Sequence, residues 1–213
     1  NRSGGIITQI MTEAERRGVE TRFHDRRALS RISKNGRQDQ GVALDVICPG
    51  FKALDAVLAS STLPRSLLAL DGITNPQNVG MIIRSAVAAG IDGVLYPQRG
   101  IASLGPLVVK ASAGTIFRAP IIRCDTTLSA LLSLKASGFH VAILDAHATG
   151  SLYDLDGGTP TVCVLGGETH GISTDVRGLA DAALGIPMAN GVESLNVAVT
   201  GALVAFQMVR SVK

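Results

Sequence analysis

The stretch LLALDGITNPQNVGMIIR, residues 67–84, sets the pattern from which the rest of the chain can be interpreted. An apolar run ends in Asp71-Gly72, a turn rich in Asn and Pro follows, and a second apolar segment begins near Asn78. Asn is a favoured helix N-cap, so we expect Asn78 to cap a helix in which Gly80 lets a neighbouring backbone approach closely. The stretch therefore predicts a strand, a turn and a helix in immediate succession.

Short apolar runs recur downstream and predict further strands. They are flanked by helix and strand breakers, as is typical of parallel strands buried on both faces. Helix-like segments separate them, so residues 66–213 predict an open, mostly parallel α/β sheet with helices on both faces and ligands at the carboxyl ends of the strands. The predicted strands are Leu67–Leu70, Gly93–Tyr96, Ile121–Cys124, His140–Leu144, Thr161–Leu165 and Ala183–Ile186, and the predicted helices are Val79–Ala89, Leu104–Ser112, Thr126–Ser137 and Asn196–Val209.

The first third of the chain carries a separate, shorter α/β pattern. It is too short to bury a good core by itself. The segment from Ser60 to Arg65 has the composition of a linker. The pattern predicts helices over Ile6–Arg17, Arg26–Ser33 and Pro49–Ser61, and strands over Val19–Phe23 and Val42–Cys48.

Composition excludes several classes of protein. Hydrophobic residues make up 46% of the chain and charged residues 17%, which indicates a packed chain rather than a disordered one. No apolar run reaches the ~18 residues that a membrane helix needs, and we expect neither a signal peptide nor a membrane partner. The cysteines lack the close spacing of zinc ligands, so we interpret Cys48, Cys124 and Cys163 as reduced core residues of a cytoplasmic protein.

Charge is distributed unevenly along the chain. Residues 1–37 hold nine basic and four acidic side chains, a net charge of +5, whereas the remainder is −2. Such a cluster is the pattern expected for phosphate contacts, and a plain solvated face has the same composition. Aromatic residues are only 3%, which argues against base stacking as the main mode of nucleic-acid contact. The candidate RNA-binding residues are Arg26, Arg27 and Arg31.

A second segment with ligand-binding character is VLGGETHGI, residues 164–172, which follows a predicted strand. Gly166 and Gly167 present bare backbone at the strand end, where peptide groups can touch the edge of a planar ligand. The G-x-G-x-x-G spacing of dinucleotide sites is missing. We interpret His170 as a surface residue of the loop.

A third segment, IPMANGVESLNV, residues 186–197, joins a strand end to an Asn190-Gly191 turn and then to a helix. Free amides at a helix N-terminus favour anions, and polar side chains cap them. The helix that follows is apolar nearly all round, so we expect it to be buried. Gly201 lowers its intrinsic stability and predicts a close helix crossing.

In this order and spacing, residues 75–84, 164–172 and 186–197 resemble the three signature motifs of the SpoU (TrmH) branch of the SPOUT RNA methyltransferases. The resemblance covers roughly residues 66–213. It implies transfer of a methyl group from S-adenosylmethionine to a ribose 2′-hydroxyl of RNA, with no metal. It also implies a C-terminal deep trefoil knot and a homodimer whose active site is completed where the first-motif helix and the last helix meet the partner.

The resemblance assigns roles to individual residues. Arg84 is the catalytic candidate, either as a general base with a lowered pKa or as a fork that grips phosphate and stabilises alkoxide charge. Both roles remain open from the sequence. The other residues implied at the reacting centre are Asn78, Glu168, Ser194 and Asn196, and those implied against the methyl donor are Gly166, Ile186 and Leu195. The bare backbone of Gly167 and the apolar side chain of Met188 complete the predicted donor site.

The resemblance also predicts the domain organisation. Residues 1–58 resemble the rear part of a ribosomal-protein-like RNA substrate-binding domain, 59–66 a linker, and 67–213 the catalytic domain. Ribosomal RNA is favoured over tRNA as substrate because that accessory domain is typical of rRNA-modifying members. Two other classes stay open: a non-catalytic RNA-binding protein that retains the fold, and an unrelated nucleotide-binding α/β enzyme such as an oxidoreductase.

Overall fold

The chain divides into two compact units, Asn1–Asp45 and Val46–Lys213. The computed structural model describes residues 2–33, 36, 41–48 and 50–212. Lys34, Arg37 and Pro49, which enter the sequence predictions, lie outside the described residues.

The first unit contains two of the predicted helices, α1 (Arg2–Arg16) and α2 (Arg26–Ser33). The Ala28 N–H donates to Asp25 Oδ1 at 2.8 Å, so an aspartate caps the N-terminus of α2. The predicted strands Val19–Phe23 and Val42–Cys48 are wrong, because neither segment is extended into a strand. A strand needs a hydrogen-bonded neighbour, and the described residues of these segments pair with none.

The second unit is built on a single sheet of parallel strands, which confirms the predicted fold class. Within the described residues the strands are ordered β1-β4-β3-β2-β7-β5-β8-β6, and every neighbouring pair is parallel. All six predicted strands are present. The strands are β1 (Lys52–Ala53), β2 (Ser66–Asp71), β3 (Gly93–Pro97), β4 (Ile121–Cys124), β5 (His140–Leu144), β6 (Gly150–Ser151), β7 (Thr161–Gly166) and β8 (Ala182–Gly185).

Helices cover both faces of this sheet. Side chains of β2 alternate between the two faces: Leu68 and Leu70 pack in one core with α4 and α8, and Leu67 and Ala69 pack in the other with α6 and α7. The helices are α3 (Leu54–Leu58), α4 (Pro76–Ala89), α5 (Pro106–Ala111), α6 (Thr127–Ala136), α7 (Thr174–Gly178) and α8 (Val197–Val212).

Two glycines permit the close helix contacts that the sequence predicts. A Cβ at Gly201 in α8 would lie 3.0 Å from Leu165 of β7 and 3.1 Å from Ile82 of α4. A Cβ at Gly80 in α4 would lie 2.8 Å from the carbonyl oxygen of Val108 in α5. Helix α4 is therefore held between α5 and α8, and both predictions are confirmed.

The segment before β2 belongs to the sheet unit. Instead of the predicted helix over Pro49–Ser61, Lys52–Ala53 form β1 beside β4, and only the five residues Leu54–Leu58 are helical. Leu54 is buried in the core beneath α6. The second unit thus begins at Val46, ahead of the predicted linker 59–66. The trefoil knot stays a prediction.

Two of the three cysteines are core residues, as predicted. Burial raises the pKa of the Cys163 thiol to about 12 and that of Cys124 to about 11. Cys48 is half-buried. None of the helices among the described residues has the length and apolar character needed to cross a membrane.

Candidate active site

The candidate site lies at the carboxyl edge of the sheet, where β2, β7, β5 and β8 end side by side. Because these strands are parallel, the loops that follow them meet at one place. The Ser173 N–H donates to Asp71 Oδ2 at 2.8 Å, which ties the segment after β7 to the end of β2.

Asn78 does not cap helix α4, so this prediction is wrong. Helix α4 begins at Pro76, and its N-cap is Asn75, whose side chain accepts from the Gln77 N–H at 2.9 Å. Proline is favoured at the first helical position because its ring presets φ and its missing N–H would have been unpaired there. Asn78 therefore lies within the first turn, 3% exposed, and its amide is directed to the site instead of capping the helix.

A hydrogen-bonded cluster of Asn78, Glu168 and Asn196 joins the three sequence motifs. Asn78 Nδ2 donates to Glu168 Oε1 at 2.6 Å. Asn196 Nδ2 lies 3.3 Å from both Glu168 Oε1 and Asn78 Oδ1. Three residues that are up to 118 positions apart in sequence are thus brought together as the resemblance implies.

Asn196 also caps α8. Its Oδ1 accepts from the Ala198 N–H at 2.8 Å, so the amide oxygen stabilises the helix while the amide nitrogen reaches the cluster. The preceding turn is closed by a hydrogen bond from the Val192 N–H to the Ala189 carbonyl, and Asn190 and Gly191 adopt the left-handed conformation. This confirms the predicted Asn-Gly turn and fixes the approach of the third motif to the cluster.

Gly166 and Gly167 are required by packing within the protein. A Cβ at Gly166 would overlap the backbone of Gly171, and a Cβ at Gly167 would overlap the carbonyl oxygen of Gly72. Gly167 and Gly171 also exchange backbone hydrogen bonds of 3.1 and 2.9 Å, which close a tight loop around Glu168. The glycines therefore hold Glu168 against the β2–α4 loop, in addition to any contact with a ligand.

A cavity of about 520 Å³ opens beside the cluster. Its volume is in the range of small-molecule and cofactor sites. The wall combines apolar side chains with the bare backbone at the end of β7. All five residues predicted around the methyl donor line it: Gly166, Gly167, Ile186, Met188 and Leu195.

Three other residues considered in the sequence analysis form no hydrogen bond with the Asn78–Glu168–Asn196 cluster. Ser194 lines the cavity but is exposed and is not hydrogen-bonded to the cluster. Arg84 lies on the exposed face of α4, outside the cavity lining, so one chain does not bring it to the cluster. His170 is exposed in the loop after Glu168, in agreement with its interpretation as a surface residue.

One charged pair on the cavity wall is absent from the sequence predictions. Asp145 follows β5 directly, and its carboxylate pairs with the Arg177 guanidinium of α7. The His147 N–H donates to Asp145 Oδ1 at 2.9 Å, and this bond together with Arg177 lowers the pKa of Asp145 below its ordinary value. An acidic residue immediately after a predicted parallel strand was the available signal, since such strand ends carry ligand sites.

A second cavity, of about 870 Å³, shares five lining residues with the first: Ala146, His147, Ile186, Met188 and Ser194. The segment after β8 therefore forms a wall of both cavities. Among the residues that the structure describes, no group of three or more His, Cys, Asp or Glu side chains is arranged to hold a metal ion.

Comparison with known proteins agrees with this geometry. The profile of the SpoU rRNA Methylase family matches residues 65–206. A tRNA/rRNA methyltransferase of Mycolicibacterium vanbaalenii, described as uncharacterized, is 37% identical over 207 residues, which are 96% of this chain and 66% of that protein. The chain thus spans about two thirds of the length of that relative.

Two solved structures are similar in fold to most of this chain. The SpoU methyltransferase AviRb from Streptomyces viridochromogenes, in complex with AdoMet, superposes with a TM-score of 0.64 at 30% identity, covering 74% of this chain and 63% of AviRb. An RNA 2′-O ribose methyltransferase superposes with a TM-score of 0.64 at 26% identity, covering 71% of this chain and 58% of that one. The family match, the three joined motifs and the parallel sheet agree, and the chain belongs to the SpoU rRNA methylase family.

Proposed function

We propose that this chain methylates a ribose 2′-hydroxyl of RNA with S-adenosylmethionine as donor, and that its substrate is ribosomal RNA in the cytoplasm. The observation that carries the proposal is the Asn78–Glu168–Asn196 cluster, which lies beside a cavity of cofactor size. The described solved relatives include one with bound AdoMet and one named for the 2′-O ribose reaction. The family description names rRNA, and the mycobacterial relative names both tRNA and rRNA.

The cavity residues fit the donor's chemistry. Ile186 and Leu195 supply apolar walls for an adenine ring, and backbone groups after β7 face the same space. S-adenosylmethionine, when bound, supplies a methyl group on a positively charged sulfur. Polar residues then have to orient the accepting hydroxyl and stabilise the charge that develops on its oxygen.

Glu168 is the residue best placed to orient that hydroxyl. Both side-chain amides of the cluster donate to its Oε1. Among the described residues, no hydrogen bond ends on Oε2, so this oxygen can accept one from a substrate. Asn78 and Asn196 hold the carboxylate, which makes them positioning residues, while Arg84 supplies a cation from outside the single-chain cavity.

We also propose that the protein is a homodimer. Helices α4 and α8 pack against each other and expose apolar side chains, with Met81 40%, Val199 49% and Phe206 56% exposed. Arg84 lies on the same exposed face of α4 as Met81. A second copy covering this face would bury the apolar side chains and bring an arginine to an interface site.

Light scattering at micromolar concentration tests this assembly. We expect a dimer, with an interface above roughly 1,000 Å². Replacing Val199 and Phe206 together by Glu should produce monomers, because two charges would be buried in the interface. Leu132→Glu is the matched control, since Leu132 is 51% exposed on α6, which packs on the opposite face of the sheet. A monomeric wild-type protein that methylates RNA would contradict the shared site.

The arginines of α2 provide a test of RNA binding. Arg26, Arg27 and Arg31 are exposed and form no ion pair with another described residue, whereas Arg16, Arg17 and Arg22 pair with Glu13 and Glu20. The triple change of Arg26, Arg27 and Arg31 to Ala should weaken RNA binding. It should also reduce the slope of log K against log salt by about 0.7 to 0.9 per lost phosphate contact, with unchanged affinity for S-adenosylmethionine.

The control for that experiment removes the same charge from the same unit. Changing the three ion-paired arginines to Ala should alter RNA affinity less, because their charges are already matched by glutamates. Equal losses of RNA affinity in the two triple variants would show that binding depends only on the net charge of the unit. If neither variant loses RNA affinity, the basic cluster is a solvated face that does not bind RNA.

The reaction itself is tested by transfer of a labelled methyl group to total RNA, followed by alkaline hydrolysis. A 2′-O-methyl group removes the internal nucleophile, so we expect the label in alkali-resistant dinucleotides from the ribosomal fraction. Label in mononucleotides would indicate base methylation and contradict the proposal. RNA binding without affinity for S-adenosylmethionine would identify a non-catalytic RNA-binding protein.

A further inference from the structure

Asp145 occupies a central place on the cavity wall. Strand β5 lies between β7 and β8, whose ends carry Gly166 and Ile186 of the proposed donor site. The Asp145 N–H donates to the Leu184 carbonyl at 3.0 Å, so the backbone is held to the neighbouring strand. The side chain is 18% exposed and faces the cavity.

The carboxylate of Asp145 is held in one orientation. The His147 N–H binds Oδ1 at 2.9 Å, and the Arg177 guanidinium binds Oδ2. An ionised carboxylate offers about four lone-pair positions, so each oxygen retains capacity for a further donor. Asp145 is therefore a fixed acceptor on the wall of the cavity.

A contribution to folding stability does not explain why the Asp145–Arg177 ion pair lies on the cavity wall. The Arg177 side chain is 48% exposed, and ion pairs with a solvated partner contribute little. Placing the pair elsewhere on the surface would serve stability equally well. Its position on the cavity wall indicates a ligand with hydrogen-bond donors.

S-adenosylmethionine carries three kinds of hydrogen-bond donor: the adenine amino group, the ribose hydroxyls and the amino-acid ammonium. Its ribose joins the base to the sulfur, so a base held by Ile186 and Leu195 places the ribose within the same cavity. Carboxylates at the ends of parallel strands accept from ribose hydroxyls in other nucleotide sites. Building on the proposed function, we propose that Asp145 accepts a hydrogen bond from a ribose hydroxyl of the donor nucleoside, and that Arg177 is its positioning residue.

The test compares two product-like probes, S-adenosylhomocysteine and 5′-methylthioadenosine, with their 2′-deoxy and 3′-deoxy forms, by calorimetry. For the wild type, removal of the bonded hydroxyl should weaken binding about tenfold to hundredfold, as for a hydrogen bond to a charged group. Asp145→Asn should weaken both parent probes by a comparable factor. It should also reduce the wild type's preference for the hydroxylated forms, because a neutral amide binds a hydroxyl more weakly than a carboxylate does; a merely structural role would not change this readout.

Variants separate the inference from its alternatives. Asp154→Asn, an exposed carboxylate outside the cavity lining, should bind all probes like the wild type. Arg177→Gln should weaken both parent probes a few-fold and retain the hydroxyl preference, and Arg177→Lys should restore affinity. If the Asp145→Asn variant is unstable by thermal denaturation, the deoxy series on the wild type and on Arg177→Gln still decides the matter.

Other outcomes would overturn the inference. If Asp145→Asn weakens binding of S-adenosylhomocysteine and leaves binding of 5′-methylthioadenosine unchanged, Asp145 binds the ammonium, which the second probe lacks. An unchanged hydroxyl preference in a folded Asp145→Asn variant would show that the ion pair is structural. If the wild type binds neither probe, the proposed function fails and the inference falls with it, a result distinct from either of these.

Discussion

Arg84→Ala should leave affinity for S-adenosylmethionine within a few-fold of the wild type and reduce methyl transfer by at least about 10²-fold. Arg84 is exposed on α4 and lies outside the cavity lining, so its removal leaves the donor site intact. Alanine is also the best helix former, which favours a folded variant. Calorimetry with the donor and single-turnover transfer on RNA measure the two effects separately.

The conservative change distinguishes the two roles of the arginine. Arg84→Lys keeps the charge and loses the planar fork, so substantial residual transfer would favour charge stabilisation over bidentate positioning. Arg118→Ala, another exposed arginine of the sheet unit, is the control and should be close to the wild type. Leu195→Asp should instead abolish binding of S-adenosylmethionine, because it places an unpaired charge in the apolar wall of the cavity. A folded, dimeric and fully active Arg84→Ala protein would refute the assignment.

Gly167→Ala should abolish most of the activity through a steric effect. The new Cβ would overlap the carbonyl oxygen of Gly72, so the loop after β7 and the loop after β2 could not keep their distance. Overpacking of this kind costs about 1–3 kcal/mol of folding free energy, which corresponds to roughly 2–12 °C in Tm for a chain of this size. Glu168 follows directly and would be displaced from Asn78, and a displacement of about 1 Å can cost about 10²-fold in rate.

Gly178→Ala provides the matched control. Gly178 ends α7, and a Cβ there would have no neighbour within 4 Å. Its Tm and transfer rate should equal or slightly exceed those of the wild type, since alanine reduces the entropy of the unfolded chain. Thermal denaturation and methyl transfer on both variants give the comparison. Equal behaviour of the two would mean that the loops after β2 and β7 can separate at no cost to the site.

Much of the sheet unit follows from local sequence. Apolar runs between breakers located all six predicted strands, because a strand buried on both faces has to be apolar along its whole length. The glycines Gly80 and Gly201 indicated close contacts correctly, since a missing Cβ matters most where elements cross. Helix α2 was predicted with its exact bounds, Arg26–Ser33.

Local sequence was a poor guide where partners decide the structure. Val19–Phe23 and Val42–Cys48 have strand-like composition, yet a strand exists only when a neighbour satisfies its backbone hydrogen bonds. The segment Lys52–Ala53, by contrast, becomes a strand because β4 lies beside it. Composition carries no information about such neighbours.

The same distinction between local and long-range contacts applies to the candidate site. Residue types and their spacing identified the three motifs and indicated that their strands end at one edge of a parallel sheet. The contacts that build the site came from the fold: Asn78 meets Glu168 and Asn196, Gly167 packs on Gly72, and Asp145 meets Arg177 on the cavity wall. Caps, turns and periodicity act over a few residues, whereas these contacts join segments 32 to 118 residues apart and depend on which strands become neighbours.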